Sequence, residues 1–311
     1  MDYFVLISTI LRLAVLLGIG MWLTRKVSVT KDVRGFLIFL LINLALPAII
    51  LNGFFQIEIT DELMKQMIFV FLFSISFNAA GLLLAWGVSR GIGLGALKAR
   101  ETAFLSAFGN TGLIGIPLCA SIFGAKGAVL AAVFDAGMSL TLWTLGVLFI
   151  QGSKEISAKN MKAMISAPNA AVFIGLIVTV FKLDMVFFVK DVTASVSAIA
   201  SPLAMFYIGM LTMTIIKEKR KVPAKLIMMP LSLKLIAFPI LGILVISAMN
   251  LPADMGQLMM IEMAMPTVTS ASVIFGLYQA DEDYGVMQTL VTNLAVLVTV
   301  PVIVLLGGLL L

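Results

Sequence analysis

Apolar residues fall in ten long stretches, each close to the 20 or so residues a helix needs to cross a bilayer. They cover residues 4–23, 35–55, 67–88, 102–124, 129–150, 170–188, 192–216, 226–249, 255–278 and 286–310. The connections between them are short, with no Ser/Gly-rich linker and no low-complexity tract. The pattern predicts an all-α polytopic membrane protein of ten transmembrane helices in one compact bundle. The first stretch begins almost at Met1, with only Asp2 ahead of it. It lacks the basic start and small-residue cleavage site of a signal peptide, so it is expected to remain as a helix.

Basic residues between the stretches set an orientation. Arg25, Lys26, Lys31 and Arg34 follow span one, and Arg90, Lys98 and Arg100 follow span three. Lys154, Lys159 and Lys162 follow span five, and Lys217, Lys219, Arg220, Lys221 and Lys225 follow span seven. The opposite connections hold only Lys65, Lys126, Lys182 and Lys190. The positive-inside rule therefore puts the basic connections in the cytoplasm and both termini outside. The acidic run Asp281-Glu282-Asp283 falls on the cytoplasmic side, where acidic residues carry little weight in that rule.

The basic connection after residue 150 divides the spans into two halves of five, residues 1–150 and 151–311. Homologous halves with an odd number of helices must lie upside-down relative to each other in the membrane. Prolines match across the division: Pro47 in span two with Pro202 in span seven, and Pro117 in span four with Pro266 in span nine, at nearly the same offset. Inverted repeats with broken helices at matching positions are the architecture of secondary transporters, with the binding site at the repeat interface. The competing reading is coincidence, since proline is common in membrane helices.

Composition narrows the function further. Of 311 residues, 61% are hydrophobic and 12% charged. Soluble domains carry about 45–50% apolar and about 25% charged residues. A soluble enzyme is excluded, and with no histidine in the chain so are His-based triads and His-ligated zinc. Cys119, the single cysteine, allows no internal disulfide, and it and the 20 methionines read as packing residues.

Span four contains Gly109-Asn110-Thr111-Gly112-Leu113-Ile114-Gly115-Ile116-Pro117. Glycines at three-residue spacing weaken a helix, and Pro117 removes the amide that would bond to Leu113. The plainer alternative is a kinked helix whose glycines serve close packing. Span nine carries Glu262-Met263-Ala264-Met265-Pro266-Thr267, with Pro266 about 16 Å from the outer end at 1.5 Å per residue. Two helices opened at one depth would cross there. A half-helix N-terminus suits an anion and an exposed C-terminal carbonyl suits a cation.

Four ionisable residues lie inside spans: Arg12, Asp135, Lys234 and Glu262. Such groups are costly in a bilayer and each is a functional candidate. Asp135 and Glu262 sit at similar depth, and two nearby carboxylates repel unless a cation or proton lies between them. Asp135 has the alternative of a structural pair with Lys234. Lys234 is either a substrate-binding cation or an ion-pair or snorkelling residue. Arg12 either pairs within the bundle or reaches the outer headgroups, and Asn43 and Asn78 either line a cavity or bond between helices.

At these residues the sequence resembles the auxin efflux carrier family, which includes plant PIN-type carriers and bacterial malate and malonate permeases. The resemblance covers essentially the whole chain. It is carried by Asn43-Leu44-Ala45-Leu46-Pro47, by 109–118 of span four, by Asp135-Ala136-Gly137 with 143–147, by Pro202-Leu203-Ala204 with Gly209, and by Met265-Pro266-Thr267. It implies the fold of the bile acid–sodium symporters, with a scaffold from spans one, two, six and seven and a transport domain from the other six. It also implies an elevator-like movement and a homodimer formed through the scaffold. A glutamate before the span-nine break binds sodium in the bile acid branch, and Glu262 is similarly placed, whereas the plant carriers are thought to work without sodium. The long cytoplasmic loop of many plant members is absent, which points to a compact bacterial-type carrier.

The expected function is secondary active transport of a small organic anion, a malate-, malonate- or auxin-like carboxylate, coupled to Na⁺ or H⁺. Candidate substrate residues are Asn43, Asn110, Thr111, Gly112, Pro117, Lys234, Pro266 and Thr267. Candidate Na⁺ ligands are Asn110, Asp135, Glu262 and Met263, and no other cofactor is expected. The partners expected are the anion, the lipid bilayer and a second copy of the chain, not a nucleic acid. No GxxxxGK[ST] motif offers direct ATP drive. The alternatives are an anion channel or uncoupled facilitator, which would need a continuous polar pore, and an intramembrane enzyme using Asp135 and Glu262.

Overall fold

The computed structural model describes residues 3–27, 29–58, 60–152, 165–183, 185–218, 222–249 and 251–308. The basic positions Lys154, Lys159, Lys162, Lys219, Arg220 and Lys221, and the start and end of the chain, lie outside the described residues. Among the described residues the structure is helical, with no strand longer than a single isolated bridge.

The helices, in order, are α1 Tyr3–Lys26, α2 Lys31–Gln56, α3 Asp61–Gly91, α4 Ala96–Ala107, α5 Thr111–Gln151, α6 Ala167–Val180, α7 Phe187–Ser197, α8 Ala200–Glu218, α9 Ala224–Ser247, α10 Ala253–Met263, α11 Ala271–Leu277 and α12 Glu282–Gly308. Six described stretches are long and apolar enough to cross a membrane: α2, α3, α5, α7 with α8 (Phe187–Lys217), α9 and α12. Helix α5, at 41 residues, is long enough to cross twice, and Gly124 (φ 64°, ψ −145°) interrupts its helical geometry.

Wide π-helical turns recur at Leu41–Ala45, Thr111–Gly115, Leu142–Gly146 and Leu233–Ala237. Three of them stand two residues ahead of a proline: Pro47, Pro117 and Pro239. A proline ring collides with the carbonyl four residues back, here Asn43, Leu113 or Leu235, and each of these lies within the wide turn. The extra residue per turn gives the ring its room and lets the helix continue. Pro117, expected from sequence to break span four, is absorbed in this way. Pro202 sits in the first turn of α8, where a missing N–H has no intrahelical partner to lose.

Span six was expected to run to residue 188, but α6 stops at Val180. Lys182 takes a left-handed φ of 49°, the Leu183 N–H bonds to the Val178 carbonyl at 2.8 Å, and the Lys182 N–H bonds to that of Thr179 at 3.1 Å. This is a Schellman ending, which satisfies the last carbonyls and turns the chain before α7 begins at Phe187. Gly93 and Gln279 close α3 and α11 in the same manner.

The chain forms two compact units. The first gathers residues 1–71, 111–136 and 165–214, the second 72–110, 137–164 and 215–311. In the first, glycines allow helix backbones to touch: a Cβ on Gly209 would lie 2.1 Å from the Leu17 carbonyl oxygen, and one on Gly20 would lie 2.4 Å from that of Phe206. The second half of α2 packs on α6 and α7, with the Phe54 ring against Gly175. In the second unit, Phe104, Phe108 and Phe275 form an aromatic core, with ring centroids 4.9 and 5.5 Å apart.

Candidate substrate site at two paired helix breaks

In the second unit α4 leaves helical geometry at Phe108, and α10 ends at Met263, helix resuming only at Ala271. The breaks therefore fall at 108–110 and 264–270, the first earlier than its proline and the second around Pro266. Two opened helices expose backbone groups that hydrocarbon cannot satisfy. Here they satisfy one another. The Asn110 N–H donates to the Pro266 carbonyl at 2.7 Å, and the Val268 N–H donates to the Phe108 carbonyl at 3.1 Å. Gly109 and Thr267 thus face each other as an antiparallel bridge.

Side chains complete the arrangement. The Thr267 N–H donates to Thr292 Oγ1 of α12 at 3.1 Å, and Thr267 Oγ1 donates to the Leu105 carbonyl at 2.9 Å. Lys234, on the wide turn of α9, is 1% exposed, and its Nζ donates to the Ala107 carbonyl at 3.0 Å. A Cβ on Gly109 would lie 3.0 Å from that Nζ, so the glycine makes room for the ammonium. Glu262, also 1% exposed, is the carboxylate whose charge acts on Lys234. Met263 is buried beside Glu262 in the last turn of α10.

Two buried amides at these elements have polar atoms with no hydrogen-bond partner among the described residues: Asn110 Nδ2, and both Nδ2 and Oδ1 of Asn293. An unanswered donor in a buried position costs about 1–3 kcal/mol unless a ligand or water supplies an acceptor.

The remaining candidates, Asn78 of the second unit apart, lie in the first unit. Thr111 Oγ1 donates to Asp135 Oδ1 at 2.5 Å, and the Gly112 N–H also donates to that carboxylate. Asp135 thus caps the N-terminus of α5, the helix end expected from sequence to be open for an anion. Pro117 follows the first wide turn of the same helix. Asn43 is exposed, and its Nδ2 donates to the Phe39 carbonyl of its own helix at 3.0 Å. Asn78 bonds back to the Ser74 carbonyl in the second half of α3, and Arg12 reaches Thr9. A cavity of about 510 Å³ in this unit is bounded by Phe54, Glu58, Thr60, Thr179, Lys182 and Lys190, among others, and none of the sequence-derived candidates lines it.

Sequence reasoning missed Thr292 and Asn293. Their signal was present as the polar set Gln288, Thr289, Thr292 and Asn293, one face of an otherwise apolar helix. It also missed a cluster at the start of α4 and α12. Lys98 Nζ lies 2.7 Å from the carboxylate of Glu101 and 2.5 Å from that of Asp281, and 4.9 Å from the centre of the Tyr284 ring. Glu101 in turn accepts the Asp281 N–H at 2.8 Å.

Buried helices broken and rejoined through their own backbones, with six described stretches long and apolar enough to cross a membrane, describe a multi-pass membrane protein. A family model described as membrane transport protein matches residues 5–169 and 154–304. The chain belongs to that family, the auxin efflux carrier family whose motifs it carries. It is 28% identical over 173 residues to a protein of Methanothermobacter thermautotrophicus (strain Delta H) described as an uncharacterized transporter. The match covers 54% of this chain and 55% of that protein, so the chain spans about half the length of the curated relative it matches.

Proposed function

We propose that the chain is a secondary active transporter of a small organic anion, a carboxylate of the malate, malonate or auxin type. The observation that carries this reading is Asn110 Nδ2, a buried donor without a partner beside the bridge between the two breaks. A carboxylate oxygen is the acceptor such a donor lacks. Thr267 and Pro266 sit opposite it on the second break, and Lys234 adds a positive charge beside Gly109. Thr111 and Gly112 follow Asn110 in the chain and are held by Asp135.

In this reading the ten apolar stretches form two inverted five-helix repeats, with spans four and nine crossing at their breaks and both termini outside the cytoplasm. A scaffold of spans one, two, six and seven supports an elevator-type movement of the rest and pairs with a second copy in the membrane. The scaffold is supported by the grouping of residues 1–71 with 165–214 in one compact unit, which also takes in residues 111–136. Asp135, which caps the N-terminus of α5, and Glu262, at the C-terminus of α10, are the acidic residues this reading assigns to the coupling.

The experiment is counterflow in proteoliposomes. A panel of mono- and dicarboxylates is first ranked by the rise in melting temperature that binding to the native state produces. The best of them should then exchange saturably across the membrane, accelerated by the same anion on the far side. Flux that never saturates and carries current would instead make the protein a channel.

A further inference from the structure

Both breaks of the second unit end in negative poles. The C-terminus of α4 presents the Ala107 carbonyl with about half a negative charge from the helix dipole. The C-terminus of α10 adds the full carboxylate of Glu262, buried at 1% exposure. The bile acid branch named above answers such a pole with a sodium ion. In this chain the positive charge already there is covalently attached.

Lys234 Nζ bonds to the Ala107 carbonyl, Gly109 leaves it the necessary space, and the wide turn Leu233–Ala237 fixes its register on α9. An ammonium carries three donors and no acceptor, so it fills the role of a small cation among oxygens and offers a metal ion nothing to bind. Two positive charges held close together away from water repel strongly. A sodium ion entering the paired breaks beside this ammonium would have to overcome that repulsion.

We infer that the Lys234 ammonium is the resident cation of the paired breaks, and that the protein holds no inorganic cation at Glu262. This deepens the carrier reading above and rests on it for the role of the breaks. Lys234 is then the residue that sets the cation requirement of the site.

The test is thermal unfolding of the purified full chain in sodium chloride against choline chloride at equal ionic strength. Wild type is expected to melt at the same temperature in both. Lys234→Met, which keeps the length and removes the charge, should melt several degrees higher in sodium than in choline, with a saturating dependence on sodium. A saturable, sodium-specific rise in wild type overturns the inference, as does a folded Lys234→Met that ignores sodium. If Lys234→Met does not fold, the double variant Lys234→Met/Glu262→Gln removes both charges together and is expected to fold and to ignore sodium. A sodium-responsive double variant overturns the inference, and the wild-type comparison decides it in any case. A protein that exchanges carboxylates yet is stabilised by sodium defeats this inference alone. One that ignores both sodium and every carboxylate defeats the carrier reading alone.

Discussion

The N–H of Asn110 donates to the carbonyl of Pro266 at 2.7 Å, so two residues 156 positions apart close each other's broken helix. Pro266 has no N–H of its own, but its carbonyl is the acceptor that lets the chain leave helix at 108–110 inside an apolar protein. The pairing turns two costly interruptions into one short antiparallel contact. Around it the backbone is anchored by side chains whose removal has predictable consequences.

Thr292→Val should destabilise the protein by about 1–3 kcal/mol, because it leaves the buried Thr267 N–H without an acceptor while keeping the side-chain shape. Thermal unfolding in detergent reads the loss. Thr289→Val is the milder control: its hydroxyl donates to the Gly285 carbonyl of its own helix and only reaches Val268 at 3.5 Å.

Close helix contact in the first unit separates two glycines of α1 and α8. Gly209→Ala places a methyl 2.1 Å from the Leu17 carbonyl oxygen and should destabilise by about 1–3 kcal/mol. Gly18→Ala has nothing within 4 Å and should be neutral or stabilise by about 0.5–1 kcal/mol through helix propensity. Melting temperatures moving in the same direction for both would contradict the packing described.

The Lys98 cluster sets a pH dependence at both extremes. Burial alone would raise the Asp281 carboxyl, but the Lys98 hydrogen bond and charge outweigh it and hold it below its ordinary 3.8. Its contribution is present above that value and lost as pH falls through the lower folded one. Burial alone would lower Lys98, but Asp281 and Glu101 outweigh it and hold it above 10.5, so its contribution survives until pH rises past that raised value. The stability difference between wild type and Lys98→Met should therefore stay level from about pH 5 to 9 and shrink below about pH 4. A difference that grows on acidification would contradict the pairing.

Much of this was legible in the residues. Hydrocarbon admits only helices with satisfied backbones, so the length of apolar runs announces helices directly, and Pro266 with its polar neighbours marks a real interruption. Pro117 misled because a proline has two outcomes in a helix, a break or a widened turn. Which one occurs depends on whether the preceding residues can shift by one register, as 111–115 do. The end of α6 at Val180 was hidden because Lys182 adopts a left-handed conformation that a lysine seldom takes. The partners of Lys234 and Asp135 were out of reach of the sequence for another reason. Local spacing says that a buried charge needs an answer, but the Ala107 carbonyl that answers Lys234 lies 127 residues away.

In the proposed carrier a carboxylate binds at the paired breaks through Asn110. The direct measurement is the half-saturating concentration for counterflow of the best-binding carboxylate, wild type against Asn110→Ala. A rise of about tenfold or more is expected, the worth of one hydrogen bond to a charged group, with the melting temperature of the unliganded protein little changed. An unchanged half-saturating concentration would contradict it.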